Sequence, residues 1–258
     1  MTFFKSFCLA FSTFSIIPVP EVQWNEKNMR YIMCAFPFTG LISGLLLSAL
    51  FYLLKNFEFF FQKSPDVTLF ALIFLLIPVI FTGGIHIDGF MDTCDAVASH
   101  CDTEKKLEIM KDSHCGAFSV ISCVLYFISF YVFTLRLCRT PVKPLIFPVI
   151  FFQSRLLSSI SVTLFPVAKT SSLVKMFSTS ALRNFTRIWC IFFFILSLGF
   201  GFYLYGEFFL IQECTLICFF IWYYFFTKRN FGGITGDTAG FFVQLSELIS
   251  LAIAALLF

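Results

Sequence analysis

Charge is what this sequence has least of. Only 13% of its 258 residues are Asp, Glu, Lys or Arg, against 59% apolar and 20% aromatic, a balance that leaves a water-soluble domain short of polar surface. Soluble enzymes and soluble binding modules are excluded on that ground, and no nucleic-acid partner is expected. Paired Cys-x-x-Cys is missing too. The ten cysteines are scattered, and Cys34, Cys123, Cys190 and Cys218 lie inside apolar runs, so neither zinc nor disulfide roles are expected. The first twenty residues carry one lysine and a broken apolar stretch ending in Pro18-Val19-Pro20. They lack the continuous apolar region and small-residue cleavage site of a secretory leader and are expected to be retained. A Walker A loop is absent, which excludes a P-loop NTPase.

Apolar runs near the length of a bilayer crossing are present along the whole chain. They cover residues 31–54, 67–81, 116–135, 145–165, 188–205, 208–226 and 239–258. The expected fold is all-α: a polytopic helical bundle integral to the membrane, one catalytic domain over residues 1–258. The second run is short for a full crossing, so the count is six or seven. Residues 3–17 suit a helix that lies at the interface or re-enters the bundle. With seven crossings, Lys5, Lys27, Arg30, Lys105, Lys106, Lys111, Lys169, Lys175, Arg183, Arg187, Lys228 and Arg229 fall on one side, and only Lys55, Lys63, Arg136, Arg139 and Lys143 on the other. The positive-inside rule makes the richer side, with the N-terminus, cytoplasmic; the expected location is the cell (inner) membrane.

Against that apolar background, three stretches concentrate polar chemistry on the richer side. In "TGGIHIDGFMDTCDA", from Thr82 to Ala96, Asp88, Asp92 and Asp95 stand at helical spacing and share one face. Like charges beside a membrane need a compensating cation, and hard oxygen ligands without thiolates suit Mg²⁺, with Mn²⁺ as the alternative. A solvated acidic loop is the plainer reading. In "EIMKDSHCG", Asp112 and Ser113 either complete a metal site or receive a phosphate, while Asp112 also suits the N-cap of the next span. In "KRNFGGITGDTAG", glycine-rich backbone at Gly232, Gly233 and Gly236, with Thr235, Thr238, Lys228 and Arg229 beside it, could cradle phosphate oxygens, and Asp237 could bring a metal. Tight helix packing is the structural alternative. "GGIHID" and "GGITGD" echo one another four predicted spans apart, hence on the same face. Arg155 and Glu247, within spans, either pair with each other or line a pocket for an anion. His86 reads as a base, a phosphate donor or a satisfied structural histidine, the last two preferred.

The ordered set "FSIIPVP", "GGIHIDGFMDTCDA", "LEIMKDSHCGAF" and "KRNFGGITGDTAG" resembles the cobalamin synthase family, the adenosylcobinamide-GDP ribazoletransferases, over nearly the full chain. The resemblance implies a Mg²⁺-using membrane enzyme that joins adenosylcobinamide-GDP to α-ribazole or its 5'-phosphate and releases GMP, working alongside other cobalamin-assembly enzymes at the lipid bilayer. It implies metal ligands at Asp88, Asp92 and Asp95, completed by Asp112 and Asp237, and phosphate contacts from Lys111, Lys228 and Arg229; His86 and Ser113, read from their own chemistry, stand beside them as candidate catalytic and phosphate-binding residues. Ser154-Arg155 matches a serine-arginine pair of the family. His114 replaces a basic residue common there, and "FPVAKTSSLVK" keeps Lys169 but lacks the family's arginine and glycines. The competing readings are a cation or solute transporter and, lower, a CDP-alcohol-type phosphotransferase, whose DGxxAR and GxxxDxxxD pattern is not found here.

Overall fold

The structure is a computed structural model that describes residues 2–169, 172–180 and 182–258. Thirteen helices follow in order among these residues. They are α1 (Thr2–Phe14), α2 (Glu26–Met29), α3 (Ile32–Lys55), α4 (Phe57–Phe61), α5 (Val67–Thr82), α6 (Ile85–Ala98), α7 (Thr103–Ile109), α8 (Ala117–Cys138), α9 (Ile146–Leu164), α10 (Ser172–Ser180), α11 (Arg183–Tyr205), α12 (Glu207–Phe231) and α13 (Gly236–Leu257). No strand forms among them beyond one isolated parallel bridge, Val167 to Ile234. The all-α expectation therefore holds.

Six helices, α3, α8, α9, α11, α12 and α13, are long and apolar enough to cross a membrane. Their outward faces are apolar at helical spacing: Ile121, Leu125, Ile128 and Val132 on α8 and Ile188, Ile191, Phe192 and Ile195 on α11 are all exposed. In water that surface would be a liability; against lipid it is the required solvent-facing side. Helix α5, at 16 residues, reaches only about 24 Å, yet it too runs between the two ends of the bundle. At its start Phe70 packs on Phe57, near Lys55, whose Nζ donates to Cys138 and Thr140 carbonyls at 3.0 and 2.6 Å. At its finish the Phe81 carbonyl accepts from Ile16 N–H at 2.9 Å. The chain then turns by 93° into α6. Gly83 and Gly84 make that break, both at positive φ (63° and 80°), where a side chain would be strained.

Helix α9 is the hub, with every residue from Ile146 to Thr163 buried. Helix α3 reaches it through Gly40 and Gly44, a small-x-x-x-small seam that lets two backbones touch. A Cβ at Gly40 would stand 2.1 Å from the Phe151 carbonyl oxygen, and one at Gly44 2.4 Å from Pro148 Cα. Gly44→Val therefore has no room. It should cost at least about 3 kcal/mol, read as a lower melting temperature of the detergent-solubilised protein, and an unchanged melting curve would contradict the seam. Helix α1 does not cross. It buries Leu9, Ala10 and Phe14 against Met29, Met33 and Phe36, leaves Phe4 exposed, and is fixed by the Ser6 hydroxyl donating to the Asn28 carbonyl at 2.6 Å.

Candidate active site

The acidic face is assembled where α6 crosses the beginning of α13. Both helices carry glycine at the crossing. A Cβ on Gly89 would lie 2.7 Å from Asp237 Cα, and one on Gly240 3.0 Å from the His86 carbonyl oxygen. Close approach of the two backbones brings the Asp237 side chain beside Asp88, so "GGIHID" and "GGITGD" meet face to face. Asp88 and Asp237 line one cavity of about 130 Å³, whose other walls are mainly apolar, among them Phe14, Phe36, Val162 and Phe177. One turn and two turns further along α6 come Asp92 and Asp95. The Asp95 carboxylate lies over Gly116, just ahead of α8, where a Cβ would meet its oxygens at 2.0 and 2.1 Å.

Electrostatically this cluster is uncompensated. Among the described residues the ion pairs are Lys105–Glu108, Asp112–His114 and Arg155–Glu247, and none involves Asp88, Asp92, Asp95 or Asp237. Asp92 lies on α6, outside the six long spans, and is half-buried. Burial first, then the charges of Asp88, Asp237 and Asp95, push its carboxyl up to about 7. A divalent cation would reverse that repulsion, and the donor set, carboxylate oxygens alone, has the hardness Mg²⁺ prefers. No three His, Cys, Asp or Glu side chains among the described residues form a ready cage, so any metal held here needs ligands from elsewhere as well.

Several sequence expectations are redirected. Asp112 does not join the cluster. It is exposed in the loop before α8, where its carboxylate accepts from His114 N–H at 3.0 Å and meets His114 Nδ1 at 2.6 Å, and these bonds hold it below the usual carboxylate range. Nor does it cap α8, whose N-cap is Gly116. Lys111 and Ser113 are exposed in the same loop. Arg155 does not face the cavity. It is buried within the bundle, ion-paired to Glu247, and also donates to the Phe151 carbonyl at 3.1 Å and Ser154 Oγ at 2.9 Å.

The glycine loop is occupied with its own structure. Gly232, at φ 69°, ends α12. The amides of Gly233 and Ile234 donate to the carbonyls of Thr227 and Pro166 at 3.3 and 2.8 Å. Thr235 and Thr238 form a reciprocal capping box that starts α13, a pattern that satisfies otherwise orphaned amides. Gly233, Thr235 and Thr238 thus place Asp237 instead of offering free donors to phosphate, while Gly236 lines the cavity. Lys228 and Arg229 are exposed on the last turn of α12, with Lys228 Nζ 5.7 Å from the Tyr224 ring centre. His86 is buried, stacked near Phe14 and edge-on to Phe36 at 6.1 and 5.6 Å. Burial, aided by the nearby Arg155 charge, holds its imidazole well below the usual histidine range, which makes it a weak base. Its Nε2 has no partner among the described residues, and it lines the cavity. The apolar wall from α1, α3 and α10 escaped the sequence reading because nothing local marks Phe14 or Phe177 as facing a site.

One consequence is testable directly. Gly116 has an ordinary backbone (φ −79°, ψ 164°), so Gly116→Ala strains no dihedral and meets the Asp95 carboxylate first. Turnover should fall about tenfold or more with the melting temperature nearly unchanged; equal activity would remove Asp95 from the site.

A family profile described as cobalamin-5-phosphate synthase matches residues 6–255. Curated relatives named adenosylcobinamide-GDP ribazoletransferase include those of Lachnoclostridium phytofermentans, 34% identical over 97% of this chain and 93% of its own, and Clostridium perfringens strain SM101, 32% identical over 99% of both. A third, from Fusobacterium nucleatum, is 30% identical over 95% of both. No solved structure matches this chain. With the whole length matched and the two acidic motifs meeting at one crossing, this chain belongs to the CobS family, the cobalamin-5-phosphate synthases.

Proposed function

We propose that this chain is a membrane-embedded transferase that joins adenosylcobinamide-GDP to α-ribazole or its 5'-phosphate, releasing GMP. The observation that carries the chemistry is the meeting of Asp88, Asp92, Asp95 and Asp237 with no ion-paired basic partner among the described residues, in a chain of this family. A hydroxyl of the ribazole ribose would attack the cobinamide-linked phosphorus, the bond to the GMP oxygen would break, and the hydroxyl proton would pass to solvent or to a carboxylate. Displacements of this kind depend on charge neutralisation and in-line positioning more than on a covalent nucleophile.

Mg²⁺ would be held by carboxylates of this cluster, with Asp88 and Asp237 on the cavity and the remaining ligands coming from outside the protein, since no three of these side chains form a cage among the described residues; when bound it would supply charge neutralisation on the phosphate oxygens. The protein's own groups supply the remainder. Phe14, Phe36 and Phe177 exclude water from one side of the cavity. The neutral His86 offers its unpartnered Nε2 as a hydrogen-bonding group on the same wall. Lys111, Lys228 and Arg229, which are exposed, would meet arriving phosphates. The mouth faces the cytoplasm of an inner membrane, as the lysine and arginine distribution supports, and neighbouring enzymes of the same pathway are reachable there.

Arg155 and Glu247 are ion-paired to one another in the interior, which leaves neither as an isolated charge for the transporter alternative. The direct test reconstitutes the chain in vesicles and follows GMP. Release should require Mg²⁺, adenosylcobinamide-GDP and a ribazole acceptor together. Release without acceptor, or none from folded protein, would sink this reading.

A further inference from the structure

A second cavity, of about 360 Å³, adjoins the first across Val162 and is opposite in character. Its described lining includes Lys169, Lys175, Arg183 and Arg187 and no carboxylate. Arg187 is fixed in place: one guanidinium nitrogen donates to the Thr163 carbonyl, while its buried Nε has no partner among the described residues. The basin is also tied to the acidic site. The Ile234 amide donates to the Pro166 carbonyl at 2.8 Å and the Ala168 amide to the Ile234 carbonyl at 3.0 Å. Gly233 permits that contact, since a Cβ there would stand 2.5 Å from the Pro166 oxygen. The segment leading to Lys169 thus lies directly against the loop that delivers Asp237, three residues after Ile234.

A cationic basin fastened to an anionic one suits a substrate with two phosphate groups in different roles. The reacting diphosphate belongs at the carboxylates, where a metal is required. An unreactive phosphate monoester needs lysine and arginine instead, and a guanidinium with an unused N–H is a matched donor for it. We propose that this basin is the subsite for the 5'-phosphate of the acceptor, so that Lys169 and Arg187 favour ribazole 5'-phosphate over ribazole. The inference rests on the transferase reading above and adds to it a specificity-determining site.

The test uses the full chain in phosphatidylcholine nanodiscs, comparing wild type with Lys169→Gln and Arg187→Gln. Lys169 is exposed, so its variant guards against a folding effect at Arg187. For each protein the ratio of kcat/KM for ribazole 5'-phosphate to that for ribazole is measured, together with equilibrium binding of both acceptors without donor. Loss of one charge-assisted contact should lower both ratios about tenfold. An unchanged ratio in Lys169→Gln overturns the proposal, as does a rise confined to the KM of adenosylcobinamide-GDP, which would give the basin to the guanosine diphosphate. Adding phosphatidylglycerol separates a lipid source of the phosphate. If the variants lose only a response to that lipid, the subsite belongs to a headgroup and the proposal falls. Failure of the transferase reading looks different: wild type would release no GMP with either acceptor, and the binding ratio would still report on the basin.

Discussion

Replacing Asp88, Asp92, Asp95 or Asp237 singly by Asn is expected to lower turnover on the order of 10³-fold, equivalent to about 4 kcal/mol of transition-state stabilisation. The four are not held in place by any ion pair among the described residues, and Asp92 experiences the charges of the other three. Neutralising one should therefore relieve repulsion, and each variant should melt at the same temperature as wild type or slightly above when Mg²⁺ is absent. Added Mg²⁺ should raise the melting temperature of wild type, by mass action on the folded state, and raise that of the variants less. Asp112→Asn is the contrast. Its carboxylate is engaged with His114 in an exposed loop, so turnover should fall by less than about tenfold. Four active Asn variants, or Asp112→Asn as inactive as the rest, would dismantle this ligand set.

The difference between Asp112 and Asp237 also marks where the sequence stops being legible. Asp88, Asp92 and Asp95 share a face by helical period alone, and α6 forms over Ile85–Ala98 as that spacing requires. The fourth member is decided by a crossing between elements almost 150 residues apart in sequence, through Gly89 and Gly240, and no local pattern states which aspartate arrives. Asp112 looked equally suited, yet the adjacent His114 captures it within two residues. The glycine-threonine loop misleads for a related reason. Phosphate cradles and helix starts use the same residue types. What separates them is whether the amides are free, and here the Pro166 carbonyl, from a different part of the chain, takes one. The spans were read from apolar length, which is a local property and survives tertiary context. The break at Gly83–Gly84 is marked by the glycines, but no local pattern states the 93° angle at which α6 leaves α5. The basic basin was invisible as a unit because Lys169, Lys175, Arg183 and Arg187 converge only when α10 packs on α9.

Arg155→Leu should be the most destabilising single substitution in the bundle, by about 3–5 kcal/mol, because it leaves Glu247 as an unpaired buried carboxylate. Both side chains are 1% exposed. The guanidinium serves three acceptors at once, Glu247, Ser154 Oγ and the Phe151 carbonyl, while its stem packs on Gly40, where a Cβ would stand 2.5 Å from Arg155 Cδ. Arg155→Lys should recover a large part of the loss, since all three contacts run through one guanidinium nitrogen and an ammonium keeps the charge opposite Glu247. The double variant Arg155→Leu/Glu247→Leu removes both charges together with their desolvation cost and should return most of the stability. Melting temperature and monodispersity of the solubilised protein measure all three. If the double variant melts as low as the single ones, the pair is not a self-contained unit and Arg155 has another anionic partner. If it melts like wild type but is inactive, the pair acts on the site from behind. The route would run through His86, which sits on the cavity wall within reach of the Arg155 charge; burial, the larger cause, keeps the imidazole neutral, so loss of Arg155 would change the field at the cavity wall and not the protonation state of His86.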